Sequence, residues 1–204
     1  RQMCSPAQPL RRASNLASMS EPMSPAVGMA VIHLFGHPAA DFDGEAVIAA
    51  VKTAQSQGVQ VVSVSMLGHK SDLAFMAVSS DMRELRSFQT ALQHAGVFIG
   101  DSYVSLTEVS EYAANVPEEM RNARLYPQLP PAGKNAWCFY PMSKKRDPEC
   151  NWFTLPFEKR SELMMEHGKS GRTFAGRILQ LVTASAGFDD FEWGVTLFGV
   201  HADD

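Results

Sequence analysis

The sequence predicts an α+β protein of 204 residues built from two ferredoxin-like units. Within residues 29–112, short β-branched runs and two amphipathic helical segments follow one another in the order β-α-β-β-α-β, which is the ferredoxin-like unit. Residues 136–204 repeat the order β-α-β-β and then stop. Two such units side by side form a dimeric α+β barrel in one chain. Because the second unit is C-terminally incomplete, we expect an unpaired sheet edge.

The first unit carries the clearest periodicity. A helical segment after the first strand places four apolar residues at helical spacing, and Asp81 can cap a second helix with its own apolar stripe. The first stripe consists of Val47, Ala50, Val51 and Ala54, and the second of Leu85, Phe88 and Leu92. Between the two helices, residues 59–66 and 73–79 flank a tight reversal and predict a hairpin, with Val62 and Val64 on one face.

Two segments lie outside the units. Residues 1–28 are rich in Ser, Pro, Met and Ala without periodicity, which predicts a disordered tail or an upstream extension. Residues 113–135 carry four prolines and predict a connector with at most one or two helical turns. Residues 136–204 then form the second unit.

The composition argues against some classes of binding partner. The chain is 45% hydrophobic and 20% charged with a net charge of −4, which argues against a nucleic-acid or membrane-surface binder. No apolar run has the length of a membrane span. Three cysteines without a CxxC pair indicate reduced thiols and a cytoplasmic protein.

The chemically distinctive side chains are concentrated between Trp137 and Gly176. They comprise a phenol, a cationic cluster, an indole and a histidine behind two methionines: Tyr140, Lys144, Lys145, Arg146, Trp152, Met164, Met165 and His167. Each has an ordinary structural interpretation, since a histidine at a helix end can bond the last carbonyls and basic residues often form a solvated turn. No histidine has the spacing of a zinc site, and a single histidine in a Met-rich pocket suits haem iron better. Gln180 lies inside an apolar strand, where we expect a buried amide that needs partners.

Three blocks of this region resemble a known family. The segments FYPMSKKR, NWFTLPFEKRSELMMEHGKSGR and GFDDFEWGVTLF are similar to the signature blocks of the chlorite dismutase superfamily, and most similar to its coproheme decarboxylase branch in haem biosynthesis. The resemblance covers roughly residues 60–200. The family continues past the last block with a further helix and strand, which would lie beyond Asp204. Because these elements are expected to support the iron ligand, their absence from this sequence makes a porphyrin-binding protein without turnover a credible alternative.

The resemblance implies a role for each site residue. His167 corresponds to the proximal iron ligand, Tyr140 to the catalytic tyrosine that carries a radical, and Lys144 to the lysine beside the second reactive propionate. Gln180 corresponds to the distal position, which is arginine in true chlorite dismutases. The remaining matches are to porphyrin contacts: Arg124 and Arg146 as cations for propionates, and Met142, Trp152 and Trp193 as residues that line the ring.

The implied activity is the peroxide-dependent oxidative decarboxylation of two propionates of iron coproporphyrin III (coproheme) to the vinyl groups of haem b. Coproheme is then both substrate and redox cofactor, and hydrogen peroxide is the second substrate. The resemblance also implies a homopentamer. The alternatives are a non-catalytic haem- or porphyrin-binding protein, and a chlorite dismutase or weak peroxidase.

Overall fold

The computed structural model describes residues 22–113 and 116–204. Most of the predicted tail, residues 1–21, lies outside the described residues. Met23 hydrogen bonds to the start of the second helix: its N–H donates to Asp81 Oδ1 (3.3 Å) and its carbonyl accepts from the Met82 N–H (3.0 Å). The described chain is therefore attached to the fold several residues before the first strand.

The first half of the chain has the predicted order β-α-β-β-α-β. Its elements are β1 (Ala30–Pro38), α1 (Gly44–Ser56), β2 (Gln60–Ser65), β3 (Leu73–Ser79), α2 (Met82–His94) and β4 (Val97–Thr107). Asp43 caps α1 by accepting from the Glu45 and Ala46 N–H groups, and Asp81 caps α2. Gly58, just past α1, has a φ of +89°, a conformation that favours glycine at the end of a helix.

The second half contains the predicted β-α-β-β order together with two additions. Its elements are α3 (Glu118–Leu125), β5 (Ala136–Met142), β6 (Arg146–Asp147), β7 (Cys150–Asn151), α4 (Phe157–Gly171), β8 (Ile178–Ala184) and β9 (Trp193–Gly199). Helix α3 occupies part of the predicted connector. The sequence did not predict the short β6–β7 hairpin, which lies between β5 and α4.

Both halves contribute to one antiparallel sheet of seven strands in the order β2-β3-β1-β4-β8-β9-β5. The halves meet where Leu106 and Thr107 of β4 pair with Ala184 and Thr183 of β8. The α+β class is confirmed. The sheet does not close into a barrel, because within residues 22–113 and 116–204 the second half supplies only three strands and leaves β2 and β5 as edges.

The sheet is nonetheless strongly curved. His33 of β1 stacks on Phe139 of β5 with ring centroids 4.1 Å apart, although three strands separate β1 from β5 in the sheet. The His33 Nε2 atom also lies 2.9 Å from Thr196 Oγ1 of β9. The curvature thus brings β1 close to β5 and β9 across the concave face, and the side chains between them form a core that includes polar groups.

Two hydrophobic cores result. On the convex face, α1 and α2 bury the predicted helical stripes against the sheet, and Leu85, Phe88 and Leu92 are each at most 4% exposed. On the concave face, residues of both halves pack together: Val31, Met76, Val78, Leu181 and Phe198. Among the described residues, no helix is both long and apolar enough to cross a membrane.

Candidate functional site

The strand register places the predicted site residues of the sheet on one face. Met142 of β5 lies opposite Trp193 of β9, and Gln180 of β8 and Cys138 of β5 flank the same residue of β9. Directly paired residues share a face, and so do alternate residues of one strand. Tyr140 therefore lies on the same face as Met142, Gln180 and Trp193. This is the convex side of the second half, opposite the concave core.

This outward face remains accessible. Tyr140 is 42% exposed, and Gln180 is exposed as well. The expectation that Gln180 is a buried amide in need of partners is wrong. Its neighbour Leu181 takes the concave side and is only 3% exposed, so the alternation of the strand turns Gln180 outward.

Helix α4 carries His167 but does not pack tightly. None of its fifteen residues, all within the described chain, is buried, whereas α1 and α2 both bury apolar side chains. His167 is exposed and lies one or two turns beyond the half-buried Arg160, Leu163 and Met164, at spacings of seven, four and three residues. These spacings place His167 on the side of α4 that turns toward the protein.

The start of α4 packs on an aromatic cluster. The rings of Phe157 and Tyr112 stack with centroids 5.5 Å apart, and Trp152 meets Tyr112 edge-to-face at 6.1 Å. The Lys144 Nζ atom lies 4.5 Å from the centroid of the Trp152 ring. The structure thus brings the predicted residues Lys144 and Trp152 together in one contact.

The segment that carries these two residues is tied to the sheet by Glu192. One carboxylate oxygen accepts from the Lys144 backbone N–H (2.9 Å), and the other pairs with the Arg146 guanidinium. Arg146 also lies over the Phe153 ring, 4.2 Å from its centroid. Its charge is therefore partly neutralised before any ligand arrives, while the predicted propionate contact Arg124 lies exposed in the last turn of α3.

Trp193 is fixed by a second acid. Its Nε1–H donates to Glu108 Oε1 at 2.7 Å, and Glu108 follows the end of β4. Burial raises the pKa of the Glu108 carboxyl, and the hydrogen bond from Trp193 opposes that rise. Glu108, Glu192 and Tyr112 were not predicted from the sequence. One feature of the sequence could have indicated Glu192, because this charged residue directly precedes Trp193 at the start of an apolar strand.

The donor set is compatible with an iron porphyrin. Among the described residues, no three His, Cys, Asp or Glu side chains come together in a way that could hold a bare metal ion. A porphyrin supplies four equatorial nitrogens of its own, so one axial histidine is enough. An exposed, partly apolar sheet face offers a surface on which such a planar group can lie, and the exposed His167 of the loosely packed α4 is the candidate ligand.

Comparison with known proteins identifies the family. A sequence model of the family described as Chlorite dismutase matches residues 42–204. The chain belongs to the chlorite dismutase family. Its membership confirms the resemblance inferred from the three sequence blocks.

Solved structures related to the family share the fold. A protein from Thermus thermophilus, described as a novel heme-binding protein, is 27% identical with a TM-score of 0.73, over 86% of this chain and 78% of that one. A mutant chlorite dismutase from Candidatus Nitrospira defluvii is 18% identical with a TM-score of 0.65, over 88% and 80%. The same organism's enzyme in complex with imidazole is 19% identical with a TM-score of 0.65, over 88% and 79%.

Proposed function

We propose that this chlorite dismutase family protein binds coproheme on the outward face of β5, β9 and β8 and converts it to haem b with hydrogen peroxide. The observation that carries the proposal is the placement of Tyr140, whose ring is 42% exposed on the same face as Gln180. Helix α4 belongs to the same half of the chain, and the spacing of its half-buried residues turns His167 toward the protein. The heme-binding description of the Thermus thermophilus relative supports a porphyrin ligand.

The charges of the site suit a ligand with several carboxylates. Coproheme carries four propionates, and this protein has a net charge of −4, so local cations must meet them. Within the described chain, neither the Lys144 ammonium nor the Arg124 guanidinium has a carboxylate partner. Arg146 is held by Glu192 and contributes less. We therefore assign the main propionate contacts to Lys144 and Arg124.

Each protein group has a distinct task. The iron porphyrin supplies the oxidising equivalents of the peroxide. Tyr140 would give its phenolic hydrogen to the oxidant derived from the peroxide and would then take a hydrogen atom from a propionate methylene, so its O–H bond is broken and re-formed. The carbon radical left behind would give the second electron to the same oxidant as its carboxylate leaves as carbon dioxide. Lys144 would hold the propionate carboxylate in reach, His167 would hold the iron, and the Gln180 amide could donate a hydrogen bond to the oxidant without adding a charge.

The overall reaction balances for each propionate. A propionate side chain, one hydrogen peroxide and one proton give a vinyl group, carbon dioxide and two waters. The carbon side chain loses two electrons, and the peroxide accepts them. Coproheme loses two carboxylates in this way, so two peroxides are consumed per haem b formed. We also propose the cytoplasmic location that the cysteine content indicates and the homopentamer that the family resemblance implies.

A porphyrin-binding protein without turnover is the second candidate, because the relative at 27% identity is described by binding alone. A chlorite dismutase is less well supported, since the resemblance assigns arginine to the position of Gln180 in true dismutases. The two leading candidates differ in one measurable respect, which is whether the bound coproheme loses carbon dioxide.

The test is Tyr140→Phe. Phenylalanine keeps the ring and its packing but has no hydrogen that can be removed and returned, so coproheme affinity should be nearly unchanged and decarboxylation should stop. Affinity is measured from porphyrin absorbance and turnover from product mass. Tyr126→Phe is the matched control, because it removes another exposed hydroxyl, which binds the Gly28 N–H outside this face.

The outcomes separate the candidates. Equal turnover by wild type and Tyr140→Phe would show that Tyr140 is not the hydrogen acceptor. If both proteins bind coproheme and neither converts it, the porphyrin-binding candidate replaces the enzyme.

A further inference from the structure

Glu192 makes an unusual set of contacts with one short segment. Its carboxylate accepts from the Lys144 N–H (2.9 Å) and pairs with Arg146, and its own backbone N–H donates to Ser143 Oγ (3.2 Å). The Glu192 side chain is only 15% exposed, whereas the Arg146 side chain is 58% exposed. One residue at the end of the β8–β9 connection thus holds the beginning of the segment that contains the β6–β7 hairpin.

The hairpin is short, because each of its strands has two residues, with Arg146 paired to Asn151 and Asp147 to Cys150. An isolated hairpin of this size is at best marginally stable in water. Its far end is held where Trp152 packs against Tyr112, and its near end follows β5 directly. At that near end, the contact with Glu192 is the side-chain hydrogen bond that holds the Lys144 backbone.

Glu192 is itself firmly placed. Its carbonyl accepts from the Ser185 N–H at 2.8 Å across the turn between β8 and β9. Ser185 is fully buried, and its hydroxyl is hydrogen bonded to Tyr103 in the concave core. The next residue, Trp193, starts β9 and pairs with Met142 on the proposed porphyrin face. Glu192, which holds the hairpin, is thus the residue directly before β9, a strand of the proposed porphyrin face.

We propose that Glu192 is a positioning residue, which acts through Lys144 and fixes where its ammonium meets a porphyrin carboxylate. The inference rests on the proposed function, and it names the group that orients the substrate there. Glu192 also neutralises Arg146, so that Lys144 is the stronger cation of this segment. Loss of Glu192 releases the Lys144 backbone and frees a competing guanidinium at the same time.

A double-mutant cycle on coproheme affinity tests this role, since coupling through a shared partner appears as non-additivity. The affinity is measured by absorbance for wild type, Lys144→Ala, Glu192→Ala and the double variant. Loss of a charged hydrogen bond to the ligand weakens binding about tenfold or more, and we expect this of Lys144→Ala. We expect Glu192→Ala, which acts by displacing Lys144, to weaken binding by up to the same factor. We expect the double variant to bind as Lys144→Ala does, within a factor of about two. Losses that multiply would overturn the positioning role.

Two further variants sharpen the cycle. Glu192→Gln retains an oxygen that can accept from the Lys144 N–H, so it should lose less affinity than Glu192→Ala. It also replaces Glu192→Ala in the cycle if circular dichroism shows that the alanine variant is unfolded. Asp147→Ala is the control, because it removes an acid from the same hairpin whose partner is Lys145, and it should bind as wild type does.

The relative rates of the two decarboxylations provide a second readout, because general damage to the fold would slow both steps. Because Lys144 is assigned to the second reactive propionate, Glu192→Ala and Lys144→Ala should both slow the second decarboxylation more than the first, so that an intermediate with three propionates accumulates. Non-additive affinities without turnover in any protein would refute the proposed function and leave the positioning role standing. Additive affinities with normal turnover would refute the positioning role alone. A wild-type protein that does not bind coproheme would refute both.

Discussion

The buried histidine of the concave core makes the stability of the fold dependent on pH in a way that can be calculated. His33 is 1% exposed, its Nε2 atom is hydrogen bonded to Thr196, and burial lowers the pKa of its imidazole from 6.5 to about 3. The folded state therefore keeps His33 neutral over a pH range in which the unfolded chain takes up a proton. Its contribution is present above pH 6.5 and is lost as the pH falls toward 3.

The magnitude depends mainly on the unfolded state. Between about pH 7 and pH 5, an unfolded histidine with its ordinary pKa goes from mostly neutral to mostly charged, and this lowers the free energy of unfolding by roughly 2 kcal/mol. The result barely changes for any folded pKa below about 4, because the folded imidazole then stays neutral throughout this range.

The assay is urea unfolding of wild type and His33→Gln at the two pH values. Glutamine places an amide near the position of Nε2 but does not titrate, so the variant should lack roughly 2 kcal/mol of the wild-type decrease. The other titrating groups contribute to both proteins and cancel in the difference. His69→Gln removes an exposed histidine and should retain the wild-type decrease. Identical decreases in wild type and His33→Gln would refute the burial argument.

Three further outcomes are expected. His167→Ala should abolish the five-coordinate spectrum of bound porphyrin with the fold intact, and a wild-type spectrum would rule out His167 as the iron ligand. Lys144→Ala should slow the second decarboxylation more than the first, as measured by product mass, and equal slowing of both steps would count against its substrate role. Gly194→Ala should lower the free energy of unfolding by about 1–3 kcal/mol in denaturant titrations. An added Cβ there would lie 2.8 Å from Tyr103 Cε1, whereas Gly171→Ala meets nothing within 4 Å and serves as the control.

Local periodicity predicted the elements of the first half well. The stripe of Leu85, Phe88 and Leu92 is buried as expected, since a helix on a sheet needs only one apolar face. The buried side of strand β2 was harder to predict. The sequence placed Val62 and Val64 together on one face without indicating which face is buried, and Val61 on the other face is 4% exposed and packs beneath the helices. Both sides of β2 meet a core, so alternation alone could not identify the more buried side.

Sequence alone accounts for the neighbours within one strand, because Tyr140 and Met142 are two residues apart and so share a face. The contact between Lys144 and Trp152 forms through the β6–β7 hairpin, which the sequence did not predict. The ties that hold the site are different, because Glu192 contacts Lys144 from 48 residues away and Glu108 contacts Trp193 from 85. Such contacts depend on sheet order and curvature. The curvature that brings His33 against Phe139 cannot be predicted from the hydrophobic periodicity of the sequence either.

The position of β5 at the edge of the sheet has a dynamic consequence. Within the described residues β5 pairs only with β9, so the strand that carries Tyr140 is supported on one side while β9 is supported on both. Local opening of an edge strand costs less than global unfolding, and amide hydrogens there exchange sooner than those of central strands. Phe139, next to Tyr140, points the other way into the stack with His33 and anchors the strand to the core. We therefore expect the amide hydrogens of β5 that are not bonded to β9 to exchange sooner than those of β9 itself.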